Sequence, residues 1–227
     1  MLVLLFDLDW TLLQGGNKAH ADAFVWAFSF VYGVEASPSE IMTEGMTDTE
    51  IIAAVLERHV VPLPTVHARM QEATQEMTDY FIRHENDGIY VPLPGVTDTL
   101  KELRKQNILV GILTGNVEGI AWRKCEKAGI RDLIDFGAFG SESLHRPDLV
   151  PLAKQRAQAI SSEAKTFIIV GDSPRDILCA QAANIQSVGV ATGSYSAAEL
   201  EEAGASETIP SIAALLYTSY FKPSAAK

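Results

Sequence analysis

The chain opens with a short apolar run, Leu2 to Phe6, that stops abruptly at an aspartate. A run of this length ending in acidic residues is typical of a strand buried on both faces, with its polar groups at the carboxyl end. Asp7 and Asp9 lie there, separated by one leucine. Two carboxylates this close repel each other unless a cation or a shared proton offsets the repulsion. The pattern predicts a magnesium site, a proton-sharing pair, or both, and the plain alternative is a strand followed by an Asp-rich turn.

Residues 15–87 show helical rather than strand periodicity. Apolar residues recur every three to four positions in the first part of this stretch, and Gly33 ends that helix. The predicted helices are 17–32, one capped by Thr47 or Asp48 that runs to about Arg58, and 65–84. We therefore predict an inserted helical domain over 15–87, with 1–14 and 88–227 forming the other domain.

From residue 91 onward, apolar strands alternate with helices of about ten residues. The predicted strands are 109–113, a short one near Phe136, 166–170 and 187–190, and the predicted helices include 117–128, 149–160, 174–183 and terminal helices. This alternation predicts an α/β fold, with a Rossmann-like parallel sheet and helices on both faces. Ligands gather at the carboxyl ends of the strands in such sheets. The final residues, 222–227, are predicted to be frayed.

Composition narrows the possible partners. With 227 residues, 47% hydrophobic and 21% charged, the chain can bury a substantial core. A net charge of −11 argues against a nucleic acid, whose binding needs clustered lysine and arginine, but it allows a small anionic ligand. Cys125 and Cys179 lack metal-ligand spacing and are predicted to be buried thiols in a reducing compartment. The apolar start is too short for a signal peptide or a membrane span, so we expect a cytoplasmic protein.

Polar residues follow two further predicted strands. Thr114, Gly115 and Asn116 come before a helix start, where free backbone N–H groups can cradle an oxyanion, although an ordinary helix cap would use the same residues. Asp172 stands at the tip of the 166–170 strand, free to meet a metal. Helix capping accounts well for Ser173 and for an aspartate in the first turn, but less well for Asp172.

One positive charge lies between these two strand ends. Arg146, just before a helix, could balance a phosphoryl group, and the alternative is a solvated loop arginine.

Taken together, these elements resemble the haloacid dehalogenase-like hydrolase superfamily over nearly the whole chain. The residues that match its four motifs are Asp7, Asp9 and Thr11; Thr114; Arg146 with Pro147; and Gly171, Asp172 and Asp176. The helical insert looks like the family's type 1 cap, as in phosphoglycolate phosphatases and β-phosphoglucomutases. Two positions depart from the pattern: Trp10 stands where glycine is common, and Arg146 where lysine is usual.

The resemblance implies magnesium-dependent hydrolysis of a small phosphomonoester. Asp7 would attack phosphorus and form an aspartyl-phosphate, and Asp9 would act as general acid and then as general base. Mg²⁺ would be held by the Asp7 carboxylate, the Asp9 carbonyl and Asp172. The implied phosphate and substrate contacts are Thr114, Arg146, Thr11, Trp10 and backbone donors of Leu8, Gly115 and Asn116, with Ser173 and Asp176 in support. The helical cap would close over the site and exclude water.

Two alternatives stay open. A phosphomutase of the β-phosphoglucomutase type would share every motif, and a non-catalytic phosphate-binding regulatory module would keep the pocket without turnover. Dehalogenation is not expected, because dehalogenases of this superfamily lack an acid at the position of Asp9. Partners beyond a small phosphorylated metabolite are not expected, the substrate itself is not readable, and a monomer or a dimer is equally possible.

Overall fold

The computed structural model describes residues 1–221, so the predicted frayed end at 222–227 lies outside the described residues. Six strands form one sheet in the order β3-β2-β1-β4-β5-β6, and every neighbouring pair is parallel. The strands are β1 Leu2–Phe6, β2 Leu109–Thr114, β3 Phe136–Phe139, β4 Thr166–Gly171, β5 Gln186–Val190 and β6 Glu207–Ile209. The predicted α/β class with a parallel sheet is therefore confirmed.

The prediction of only helices after residue 190 is wrong. Residues Glu207–Ile209 form β6, which pairs with β5 at the edge of the sheet. A strand of three residues is too short to show an alternating pattern in the sequence. Tertiary pairing decides its conformation instead.

Within the described residues, eight α-helices accompany the sheet. They are α1 Lys18–Tyr32, α2 Asp48–Arg58, α3 Leu63–His84, α4 Val96–Lys105, α5 Glu118–Lys127, α6 Leu149–Ile160, α7 Pro174–Ala182 and α8 Ala197–Glu202. The Thr47 side chain caps α2 by accepting from the Glu50 N–H at 3.1 Å, and Gly33 ends α1 at a φ of 67°. None of the helices in this part of the chain is both long and apolar enough to cross a membrane.

Strand β1 is central and buried on both faces. Its side chains alternate between two apolar clusters: Leu4 and Phe6 join one, and Val3 and Leu5 join the other. Helices α4 and α5 contribute to the first cluster, and α6 and α7 to the second. This burial holds the carboxyl end of β1 rigidly in the middle of the sheet edge.

Helices α1, α2 and α3, which we name the helical insert, pack around a third apolar cluster. Phe28, Leu56 and Phe81 are fully buried in it. The chain segments that enter and leave the insert run side by side, since the Gln14 N–H donates to the Val91 carbonyl and the Leu93 N–H to the Leu12 carbonyl, both at 2.9 Å. The insert therefore sits over the carboxyl edge of the sheet on a pair of hydrogen-bonded connections.

Candidate active site

The strand tips bring the predicted acidic residues together. Phe6 pairs with Ile112 on one side and Val170 on the other, so Asp7, Thr114 and Asp172 emerge at the same sheet edge. Carboxylate oxygens of Asp7, Asp172 and Asp176 all lie within 4.8 Å of one another, and all three residues are buried. We name these three residues the acidic cluster.

Arg146 is the counter-charge of the acidic cluster. Its Nη2 lies 2.8 Å from Asp7 Oδ1 and 2.6 Å from Asp176 Oδ1, and it also donates to the Leu113 carbonyl at 3.1 Å. The residue is only 4% exposed, so it is not the solvated loop arginine of the alternative interpretation. Its Nε is buried without a hydrogen-bond partner among residues 1–221.

Burial and mutual repulsion change the acidity of the cluster. Burial raises the pKa of Asp7 to about 6, with Asp176 and Asp9 adding to the rise, although the Arg146 guanidinium opposes it. Burial together with Asp7 and Asp176 raises the pKa of Asp172 to about 8. Three carboxylates thus face one guanidinium, and this excess negative charge favours a cation.

A magnesium ion fits this donor set. Carboxylate oxygens are the hard ligands that Mg²⁺ prefers, and a divalent charge would offset the repulsion that raises the two pKa values. Asp172 is oriented by Thr11, whose Oγ1 donates to Asp172 Oδ1 at 3.0 Å. Asp176 is occupied by Arg146 and by the Ser173 N–H and Oγ at 3.1 and 2.7 Å. Asp7 and Asp172 could therefore hold the ion, whereas Asp176 is already engaged by Arg146 and Ser173.

Asp9 is used differently from Asp7. Its carboxylate contacts Lys124 Nζ at 2.7 and 2.9 Å and accepts from Asn116 Nδ2 at 2.9 Å, and it does not join the acidic cluster. Burial acts to raise the pKa of Asp9, but the positive charge of Lys124, together with the hydrogen bonds from Lys124 and Asn116, outweighs it and holds the pKa below its usual value. Any role of Asp9 in holding a metal would fall to its backbone carbonyl.

Lys124 lines the site, although it belongs to none of the motifs found in the sequence. It lies on α5 and is 2% exposed, 115 positions from its partner Asp9. One signal is present in the sequence, because Lys124 stands at helical spacing from Ile120 and Ala121 on the apolar stripe of α5. His20 is a second such residue, since its half-buried side chain contacts Lys124 Nζ at 3.2 Å.

The predicted phosphate cradle lies at the end of β2. Thr114 is fully buried, and its Oγ1 accepts from Asn116 Nδ2 at 3.0 Å and from the Asn116 N–H at 3.3 Å. A Cβ on Gly115 would lie 2.1 Å from the Met46 carbonyl, so glycine allows the insert to touch the cradle. The Leu8 N–H is directed to the Asp7 carboxylate in this structure.

Trp10 lines the mouth of the site. Its φ of 60° is left-handed, a conformation that normally favours glycine, and its indole lies where a Cβ on Gly15 would be only 2.2 Å away. The residue is 39% exposed. The indole of Trp10 can therefore occupy this position only because residue 15 is a glycine.

A cavity of about 440 Å³ separates the sheet edge from the helical insert. Its floor includes Asp7, Asp9 and Asp172, and its apolar wall from the insert and the loop after α1 includes Phe24, Met46 and Ile51. The site can thus enclose a small molecule with one anionic end and a less polar body.

A comparison with known protein families identifies the family of this chain. The family model described as haloacid dehalogenase-like hydrolase matches residues 4–190. The chain belongs to this family. It is therefore an enzyme of the hydrolase class, and the matched residues span all four motifs predicted from the sequence.

Individual relatives agree with this assignment. The chain is 27% identical over 195 residues to the pyrophosphatase PpaX of Oceanobacillus iheyensis, covering 83% of this chain and 82% of that protein. It is 27% identical over 203 residues to the phosphoglycolate phosphatase of Pseudomonas fluorescens, covering 84% and 70%. A haloacid dehalogenase-like hydrolase from Bacteroides fragilis has the same fold, with a TM-score of 0.70 at 22% identity over 94% of this chain and 98% of that one.

Proposed function

We propose that this haloacid dehalogenase-like hydrolase is a magnesium-dependent phosphatase that hydrolyses a small phosphomonoester through an aspartyl-phosphate on Asp7. The observation that carries the proposal is the buried acidic cluster, with Arg146 bridging Asp7 and Asp176 at the floor of the cavity under the helical insert. The relatives named above, a pyrophosphatase and a phosphoglycolate phosphatase, support phosphate chemistry.

The reaction consists of two displacements at phosphorus. A carboxylate oxygen of Asp7 attacks phosphorus while the bond from phosphorus to the ester oxygen breaks, and Asp9 gives a proton to the departing oxygen. Asp9 must be protonated for this step, and the negative charge of the bound ester would raise its pKa against the effect of Lys124. Asp9 then takes a proton from a water whose oxygen attacks the phosphoryl group. The bond to Asp7 breaks, inorganic phosphate leaves, and Asp7 is restored.

The surrounding residues bind and orient the ester. Arg146, which lines the cavity, would offset the charge of the phosphoryl oxygens, and Thr114 with the backbone of Gly115 and Asn116 would cradle them. Mg²⁺ held by Asp7, Asp172 and the Asp9 carbonyl would supply further positive charge. The helical insert would close over the cavity and limit the access of water.

Turnover of p-nitrophenyl phosphate with and without Mg²⁺ tests the proposal, followed by a panel of phosphorylated metabolites that includes phosphoglycolate and pyrophosphate. We expect magnesium-dependent release of inorganic phosphate. Conversion of β-glucose 1-phosphate to glucose 6-phosphate without phosphate release would favour the mutase alternative. Binding of phosphate without any turnover across the panel would favour the non-catalytic module.

The affinity for Mg²⁺ is expected to fall as the pH falls from 8 to 6. A cation binds the ionised carboxylate, whereas burial raises the pKa of Asp172 to about 8, so binding must displace a proton below that pH. For one proton the loss approaches about tenfold in affinity per pH unit. Titration calorimetry in buffers of different ionisation enthalpy measures both the affinity and the protons released.

The raised pKa of Asp172 also makes the stability of the metal-free protein depend on pH. The pKa of Asp172 is about 8 in the folded protein and about 4 in the unfolded chain. The contribution of Asp172 to the free energy of unfolding is therefore fully present below about pH 4 and is lost as the pH rises towards 8. Mg²⁺ should therefore raise the melting temperature more at pH 8 than at pH 6. An affinity and a melting shift that do not vary with pH would contradict the assignment of Asp172 as a ligand.

A further inference from the structure

Lys124 is surrounded by acceptors at the bottom of the cavity. Its Nζ contacts Asp9 Oδ2 at 2.7 Å, Asp9 Oδ1 at 2.9 Å, Asn116 Oδ1 at 2.7 Å and His20 Nδ1 at 3.2 Å. An ammonium group has three hydrogens, so these four contacts satisfy it and fix its direction. Both oxygens of Asp9 are thereby tied to one atom of a buried side chain.

The contacts of Lys124 define the roles of its neighbours. An ammonium cannot accept a hydrogen bond, so His20 Nδ1 must accept, and the ring proton of His20 lies on Nε2. That nitrogen donates to Asp48 Oδ2 at 2.9 Å, and the same oxygen accepts from the Val117 N–H at 2.7 Å. His20 is on α1 of the helical insert and Lys124 on α5 of the sheet domain, so residues of both parts hold the lysine.

Asn116 orients the same carboxylate from a second direction. Its Oδ1 accepts from Lys124 while its Nδ2 donates to Asp9 Oδ2 at 2.9 Å and to Thr114 Oγ1 at 3.0 Å. The amide therefore connects Lys124, Asp9 and the end of β2 in one network. Removing the lysine would leave Asp9 with one side-chain donor and free to rotate.

We propose that Lys124 is a positioning residue that holds the Asp9 carboxylate in the orientation needed for proton transfer. The inference rests on the proposed function, in which Asp9 exchanges protons with the leaving group and with water. Proton transfer requires the carboxylate oxygen to be within about 2.6–3.2 Å of its target. A misplacement of about 1 Å costs on the order of 10²-fold in rate.

The first test compares three variants with p-nitrophenyl phosphate. Lys124→Met is expected to lower kcat about 10²-fold and to change KM by less than about threefold, because the phosphoryl group is bound by other residues. Lys124→Arg keeps a donor for both oxygens of Asp9 and should recover at least about tenfold of that loss. Lys127→Met is the matched control on the same helix. Lys127 lies outside the site, where its Nζ pairs with Glu85 Oε1 at 2.8 Å, so the kcat of this variant should be unchanged.

A double-mutant cycle with Asp9→Asn decides whether Lys124 acts through Asp9. In the Asp9→Asn background, Lys124→Met should change kcat by less than about twofold, because the carboxylate that it positions is already gone. An equal loss in both backgrounds, an unchanged kcat, or a loss confined to KM would overturn the proposal. If circular dichroism shows that Lys124→Met is unfolded, the cycle is run with Lys124→Arg, whose smaller loss should likewise vanish in the Asp9→Asn background.

Failure of this inference differs from failure of the proposed function. If the wild-type enzyme turns over and Asp7→Asn does not, while Lys124→Met keeps full kcat, only the role of Lys124 is wrong. If the wild-type enzyme shows no magnesium-dependent turnover, the proposed function fails and the role of Lys124 fails with it.

Discussion

Replacing Asp7 with asparagine is expected to lower kcat at least about 10⁴-fold, the largest effect of any single substitution in this chain. An amide nitrogen or oxygen is a poor nucleophile, so no aspartyl-phosphate can form. The side chain keeps its size, and it can still accept from Arg146, whose Nη2 lies 2.8 Å from Asp7 Oδ1. The loss should therefore be chemical rather than structural.

Trapping the intermediate tests whether the loss of activity is chemical. Rapid acid quenching followed by intact-protein mass spectrometry should detect the phosphoryl adduct on the wild-type enzyme and none on Asp7→Asn. The exposed Asp132 is the control, and Asp132→Asn should keep full activity. Retention of more than a few per cent of wild-type kcat by folded Asp7→Asn would rule out Asp7 as the nucleophile.

The sequence predicts the acidic edge of the sheet because that edge follows from strand topology. The run Leu2–Phe6 is apolar at every position, which is typical of a central parallel strand and fixes where Asp7 emerges. Because all strands of the predicted sheet are parallel, their carboxyl ends share one edge, and the structure adds that β2 and β4, which carry Thr114 and Asp172, are the direct neighbours of β1. The link between Arg146 and the acidic cluster does not follow from topology, because it depends on how the loop before α6 folds back.

The network around Asp9 could not be predicted in the same way. Lys124 and His20 lie on helices, where their spacing fits a buried stripe as well as a binding role. Their function becomes visible only when the helical insert is placed over the sheet and His20 Nδ1 comes within 3.2 Å of Lys124 Nζ. Likewise, the left-handed φ of Trp10 could not be predicted from the sequence, since tryptophan rarely adopts this conformation.

Replacing Arg146 with methionine is expected to lower kcat about 10³-fold or more and to destabilise the fold. The guanidinium is 4% exposed and bridges Asp7 and Asp176, so its loss leaves two buried carboxylates without their counter-charge. Breaking a buried ion pair from one side typically costs about 3–5 kcal/mol. Urea denaturation should show that loss, and the exposed Arg104→Met on α4 should show none.

Arg146→Lys separates charge from geometry at the same position. An ammonium can still pair with Asp7 and Asp176, but it cannot also reach the carbonyls of Leu113 and Gly45, which accept from the guanidinium at 3.1 and 3.2 Å. We expect an intermediate loss of about tenfold in kcat, with most of the stability retained. A lysine variant as inactive as the methionine variant would mean that the fork geometry, rather than the positive charge, is what the site requires.

The pH profile of these variants tests the electrostatic role of Arg146 directly. The guanidinium opposes the rise in the pKa of Asp7, which burial brings to about 6, and Asp7 must be ionised to attack. Without Arg146 the pKa of Asp7 rises further, so the acid limb of kcat/KM should move to higher pH and the activity at pH 6 should fall more than at pH 8. An acid limb that stays in place in Arg146→Met would show that Arg146 supports the fold without tuning the nucleophile.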